Sequence, residues 1–201
     1  MGQPSLLRES RAGTALDDAY ASRSAIVAAV DATYDRLTSR NAALLLIDHQ
    51  IGPLWELDFA ETRRVVVALT RAATRLQIPC ILTAIAPETW GSVIPELTNV
   101  VSDTAPIVRN AVNAWEESAV RAAIERAGRR KLIVAGGAAA VAVALCALSA
   151  SEAGYDVYTP LDASAQFSHA AIRRLSRANV IVTTTSLIMA ELGSSRNFGN
   201  G

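Results

Sequence analysis

Two ionisable residues sit where a charge is expensive. Asp48 closes the apolar run ALLLID at 43–48, and a carboxylate there needs a partner or a chemical task. Arg109 closes the run PIVR at 106–109 and can act as that partner, drawing the carboxylate into its charged form. Read alone, Asp48 also fits a turn or N-cap and Arg109 a surface side chain. Together they mark a candidate charge pair at the strand ends, where a pocket would lie. Gly136 and Gly137 precede a helical stretch and resemble a phosphate-binding turn, but neither G-x-G-x-x-G nor a Gly-Lys-Ser/Thr loop is present. No nucleotide, and no cofactor of any kind, is expected. Cys80 and Cys146 lie inside apolar segments, which suits small buried hydrophobes better than a disulfide or a zinc site, so no metal is expected. His49 follows Asp48 and should face the other side of the strand in a structural or supporting role, and His169 has no visible partner. Trp55, Trp90 and Trp115 each follow a strand end by several residues. Trp90 and Trp115 are the candidates for pocket walls, against ordinary packing as the alternative. Asp162, in LDAS, reads as a loop tie.

The elements that must position these residues alternate regularly. Short apolar runs at 43–48, 80–85, 106–109, 132–135, 156–160 and 180–184 read as strands, and amphipathic or alanine-rich stretches at about 60–76, 116–128, 139–153 and 168–177 as helices. That rhythm predicts right-handed βαβ units, hence a three-layer, Rossmann-like α/β fold around a six-stranded parallel sheet. In such sheets ligands bind beyond the carboxyl ends of the strands, the positions of Asp48, 86–90, Arg109, 136–142 and Asp162. The uncharged stretch from Leu132 to Ser151 is long enough to be tested as a membrane span. Gly136 and Gly137 break it, and strand, turn and helix account for it better. An extra amphipathic helix is expected from Thr14, with Asp17 as its capping partner and Tyr20, Val27 and Tyr34 along one stripe. The expected division is a tail and helix over 1–40, the α/β domain over 41–195, and a flexible tail over 196–201.

Composition narrows the function classes. The 201 residues are 51% hydrophobic and 19% charged, and 19 basic residues balance 19 acidic ones. This is a globular balance with no basic footprint for nucleic acid. The amino terminus, MGQPSLLRES, has no apolar signal core and misses the myristoylation pattern at Leu6. A cytoplasmic protein acting on a small molecule, without nucleic-acid or membrane partners, is the expectation.

The segments LLLIDHQIGPLW (44–55), IPCILTAIAPETWGSVIPEL (78–97), APIVRNAVNAWEES (105–118), KLIVAGGAAAVAVALCALSASEAGYDVY (131–158) and LDAS (161–164) resemble the isochorismatase-like cysteine hydrolase superfamily, in its YcaC-like branch. The resemblance runs in order over about 41–192 and implies a homo-oligomer and a triad of Asp, Lys or Arg, and Cys. By motif, the aspartate is Asp48 and the basic residue Arg109. The cysteine position, at the start of the helix after the fourth strand, holds Ala142, and the family's Thr-Glu-Val-Cys reads Ala139-Ala140-Val141-Ala142 here. An intact triad would pass the thiol proton to Asp48, and backbone N–H groups of Ala138 to Ala142 would receive the oxyanion. The family's cis peptide in this loop would fall at Ala138–Ala139. Ala138, Ala139 and Val141 are accordingly candidate substrate contacts. An alanine methyl cannot attack, and Cys146, one turn further along, is too far from the helix start to replace it.

Three accounts follow from Ala142. The chain is a hydrolase of amide-type C–N bonds whose nucleophile has been replaced, naturally or by design; or it works without a nucleophile, using Asp48 as general acid or base; or it is a non-catalytic binding or assembly subunit.

Overall fold

The computed structural model describes residues 35–52, 59–137, 139–165 and 167–193. The expected amino-terminal helix, Trp55, Ala138 with its peptide bond to Ala139, and the carboxyl-terminal tail lie outside these residues.

Six parallel strands form one sheet in the order β3-β2-β1-β4-β5-β6. They are β1 (Ala42–Ile47), β2 (Cys80–Ile85), β3 (Ile107–Arg109), β4 (Lys131–Gly136), β5 (Asp156–Pro160) and β6 (Ile181–Thr183). All six residues of β1 and of β4 are buried, as expected of strands covered on both faces; β1 is apolar throughout and β4 is apolar after Lys131, which pairs with Asp156. Each large aliphatic side chain buried there contributes roughly 1.5–3 kcal/mol. β1 pairs with β2 on one side and β4 on the other, Ile47 standing opposite both Thr83 and Gly136. The strand order therefore reverses between β1 and β4, the position where such sheets open a crevice at their carboxyl edge.

Side chains of β1 alternate between two cores. Leu44 and Leu46 pack with Val66, Leu69, Leu97, Ile188 and Leu192, while Leu45 and Ile47 pack with Val120, Ile124, Val143, Cys146 and Leu175. The first face is covered by α1 (Ala60–Arg75), α3 (Pro95–Val100) and α7 (Thr185–Gly193), and the second by α4 (Ser118–Ala127), α5 (Ala144–Glu152) and α6 (His169–Arg177). In α1 the buried residues Val66, Val67, Leu69, Thr70 and Ala73 recur at helical spacing, and Glu61 in the first turn and Arg75 in the last complement the helix dipole. A short α2 (Pro87–Trp90) follows β2.

The uncharged stretch from Leu132 divides as expected into the rest of β4, a turn and a helical segment, which opens with a π-helical turn over Ala139–Val143 and continues as α5. Among the described residues no helix is long and apolar enough to cross a membrane. Sequence periodicity missed α7 and the two short helices after β2. Asp162 ties α7 down, since its Oδ1 accepts from the Thr185 backbone N–H at 2.8 Å and from the Thr185 hydroxyl at 3.0 Å.

Candidate functional site

β1 ends one residue before Asp48, whose φ of 50° lies in the left-handed region. Aspartate adopts this conformation more readily than most residues, at some cost in strain. The backbone N–H of Asp48 still reaches the Thr83 carbonyl at 3.2 Å, so the strand end stays anchored while the side chain turns toward β2. There Oδ1 accepts from the Thr83 hydroxyl at 2.8 Å and from Arg109 Nε at 3.1 Å, and Oδ2 accepts from Arg109 Nη2. Arg109 reaches across β2, because Thr83 pairs with Ile47 on one side and Ile107 on the other. Its Nη1 donates to the Ala111 carbonyl and, at 3.1 Å, to that of Val112. Asp48 is 3% exposed and Arg109 1%. A two-point guanidinium–carboxylate pair whose other terminal nitrogen is also engaged is the geometry in which a buried ion pair persists.

The segment after Asp48 is bracketed by Gln50. Its Nε2 donates to the carbonyls of Ile85 (3.1 Å) and Gly91 (2.6 Å), and its Oε1 accepts from the Ile85 N–H at 2.8 Å. Backbone bonds from Ile51 N to Ser92 O and from Ile94 N to His49 O complete the clasp. Gly52 passes so close to this loop that a Cβ there would lie 2.6 Å from the Trp90 carbonyl oxygen. β2 is thereby locked to the strand end that carries Asp48.

Beside Asp48 lies a cavity of about 40 Å³, lined among the described residues by Asp48, His49, Gln50, Phe59, Thr62, Arg63, Ile94, Gly137 and Ala165. It is far smaller than the ~300–1,000 Å³ of drug-sized sites. His49 belongs to it. The expectation that His49 faces away from Asp48 assumed strand alternation, and alternation fails because β1 ends at Ile47 and Asp48 turns left-handed. His49 Nε2 lies 3.2 Å from the Ala163 carbonyl. Burial lowers the imidazole pKa from 6.5 to about 4, against the opposing pull of that hydrogen bond and of the Asp48 charge. The ring is neutral at pH 7. Arg63 forms an ion pair with Glu96 at the cavity edge.

Ala142 is 3% exposed and sits in the π-helical turn, packed in the second core with Ile47 and Val143. A Cβ added at Gly136 would lie 2.5 Å from Val143 Cγ2 and 2.7 Å from the Ile47 carbonyl oxygen, so the helix start presses on the ends of β1 and β4. Ala142 thus packs on the sheet face opposite α1, and it does not line the cavity. Val141 is 52% exposed and Trp90 39%. Trp115 packs edge-on against Tyr155, ring centroids 5.6 Å apart, and its carbonyl accepts from Arg121 at 2.5 Å. Neither tryptophan lines the cavity. Sequence reasoning placed Gly137 at this edge, within 136–142, but missed Gln50, Phe59, Thr62, Arg63, Ile94 and Ala165 as walls.

Neither cysteine is poised to form a thiolate. Burial pushes the Cys146 thiol up to about 12, with the Arg109 charge offsetting only part of the effect, and the Cys80 thiol up to about 11. No group of three His, Cys, Asp or Glu side chains among the described residues converges as a metal site.

Comparison with known proteins gives a consistent picture. A model of the isochorismatase domain matches residues 42–186. Over 169 residues, 79% of this chain and 81% of the relative, the sequence is 37% identical to the probable hydrolase YcaC of Escherichia coli strain K12. The crystal structure of the Escherichia coli YcaC gene product, an octameric hydrolase of unknown specificity, matches with a TM-score of 0.76 at 36% identity over 80% of this chain and 83% of that one. YcaC from Pseudomonas aeruginosa, solved with hexane-2,5-diol and covalent acrylamide, matches with a TM-score of 0.76 at 34% identity over 81% and 85% of the two chains.

Proposed function

The chain belongs to the isochorismatase family, and from that premise we propose that it carries a hydrolase site for small amide-type C–N bonds, with Ala142 standing where the attacking thiol would be. The observation that carries the reading is the buried, two-point Asp48–Arg109 pair at the carboxyl edge of the sheet. A fully desolvated ion pair adds little net stability, so its persistence at a strand end points to a chemical role. The Pseudomonas aeruginosa relative holds covalent acrylamide; acrylamide adds to a nucleophile through its alkene, so this supports a reactive nucleophile in that protein.

With a thiol at position 142, Asp48 would accept its proton and the sulfur would attack the amide carbonyl carbon. The C–N bond would then break, the nitrogen would leave as ammonia with the returned proton, and water would cleave the thioester to acid and free thiol. Arg109 holds the carboxylate in place for both transfers. The backbone N–H groups of Ala138 to Ala142 are our candidates for receiving the oxyanion, and Val141, Trp90 and Trp115 for flanking the substrate. The chain as it stands can bind a substrate but cannot form the acyl intermediate through position 142.

The test compares the wild-type chain with Ala142→Cys on a panel of small primary amides, following ammonia release and intact mass. A covalent adduct and ammonia are expected only from the cysteine variant. A folded variant with neither overturns the proposal, and turnover by the wild-type chain that Asp48→Asn abolishes would replace it with nucleophile-free catalysis.

A further inference from the structure

β3 is half the length of β2, and the difference leaves a gap in the sheet. β2 begins at Cys80, but its pairing with β3 begins only at Thr83, opposite Ile107. Cys80, Ile81 and Leu82 therefore have β1 on one side and no strand on the other. A cavity of about 460 Å³ occupies the gap, at the amino end of the strands and so at the edge opposite the Asp48–Arg109 pair. Its size falls within the ~300–1,000 Å³ usual for small-molecule sites. The segment at 79–82, the segment leading into β3 and the last turns of α4 enclose it, and Pro79, Ile81, Leu82, Ile107, Ala123 and Ala127 make its walls apolar. Two charges complete the lining. Asp103 and Arg126 are both exposed, and neither forms an ion pair or hydrogen bond, with the other or with any other described residue.

Opposite charges that line one cavity without pairing favour a molecule that meets both. A ligand with a single charge would be attracted by one of them and repelled by the other. We propose that this cavity is a second binding site, for a small aliphatic α-amino acid in its zwitterionic form. Arg126 takes the carboxylate, for which its planar guanidinium is suited, Asp103 takes the ammonium, and the aliphatic side chain lies against the apolar walls. None of the residues that line this cavity belongs to the Asp48–Arg109 site, so the inference stands apart from the hydrolase reading.

Three probes of similar shape separate the charges: L-leucine, isocaproate, which lacks the ammonium, and isopentylamine, which lacks the carboxylate. Each is titrated calorimetrically into the full-length wild-type chain and into Arg126→Gln and Asp103→Asn. Both side chains are exposed, so neither change should disturb the fold. Leucine is expected to bind the wild-type chain at least about threefold more tightly than either analogue, and more weakly as salt is added. Arg126→Gln should remove its advantage over isopentylamine, and Asp103→Asn its advantage over isocaproate. The place of binding is read at Cys80, which lines the cavity, whereas Cys146 is fully buried. Bound leucine should slow alkylation of Cys80 by iodoacetamide, followed by peptide mass. Where the thiol reacts too slowly to follow, the two variants locate the site. No binding of leucine, equal binding of the three probes, affinities that neither variant alters, or a Cys80 alkylation rate unchanged by bound leucine overturns the inference.

Discussion

Removing one partner of the Asp48–Arg109 pair should cost more than removing both. Arg109→Met leaves a carboxylate 3% exposed without its counter-charge, and breaking a buried pair in this way costs about 3–5 kcal/mol. Asp48→Asn tolerates the left-handed backbone but strands the guanidinium. The double variant should unfold in urea at a higher midpoint than Arg109→Met alone, and a strictly additive loss would contradict the coupling. His49 supplies a second handle. Its folded pKa of about 4 lies below the unfolded value of 6.5, so between those values the unfolded chain binds more protons. Its contribution is complete above about pH 6.5 and is lost as the pH falls toward 4, by on the order of 3 kcal/mol in all. The stability difference between the wild-type chain and His49→Phe should therefore change by that amount between pH 7 and pH 4 in urea titrations, and a constant difference would show that the ring is not held neutral. Asp48 and Arg109 were legible in the sequence because a charge ending an apolar run is conspicuous. The place of His49 was not, since it depends on a backbone torsion at Asp48 that interrupts strand alternation.

Where elements meet, Gly136 decides how closely β4 and the following helical turn can approach. A methyl group there would meet Val143 Cγ2 at 2.5 Å and, less yielding, the backbone oxygen of Ile47 at 2.7 Å. Gly136→Ala should destabilise by about 1–3 kcal/mol through overpacking, read as a lower thermal midpoint, and should loosen the strand end that carries Asp48; an unchanged midpoint would mean that the junction can open freely. The strands at 42–47, 80–85 and 156–160 and the helix at 60–75 could be read from apolar runs and helical spacing. α7 could not, because TSLIMAELG is apolar on nearly every side and presents no stripe. The cavity walls were equally hidden. Thr62 and Arg63 come from the first turn of α1 and Ile94 from the loop ahead of α3, and only the folded chain brings them to β1.

At the scale of the molecule, the parallel sheet and its helical layers follow from alternation of short apolar runs with helices, and the location of the site follows from the topology. Neither depends on which residue occupies position 142. The same topology governs the order of assembly. In the chain, β2, whose Cys80 pairs with Leu44, comes before β4, whose Lys131 pairs with Ala42 on the other edge of β1. During synthesis, a ribosome that has released β1 to β3 exposes a three-stranded sheet whose inner edge, all aliphatic, has no neighbour. Until residues 131–136 emerge, this nascent intermediate is a natural client for a chaperone and the stage at which a translational pause would do the most harm.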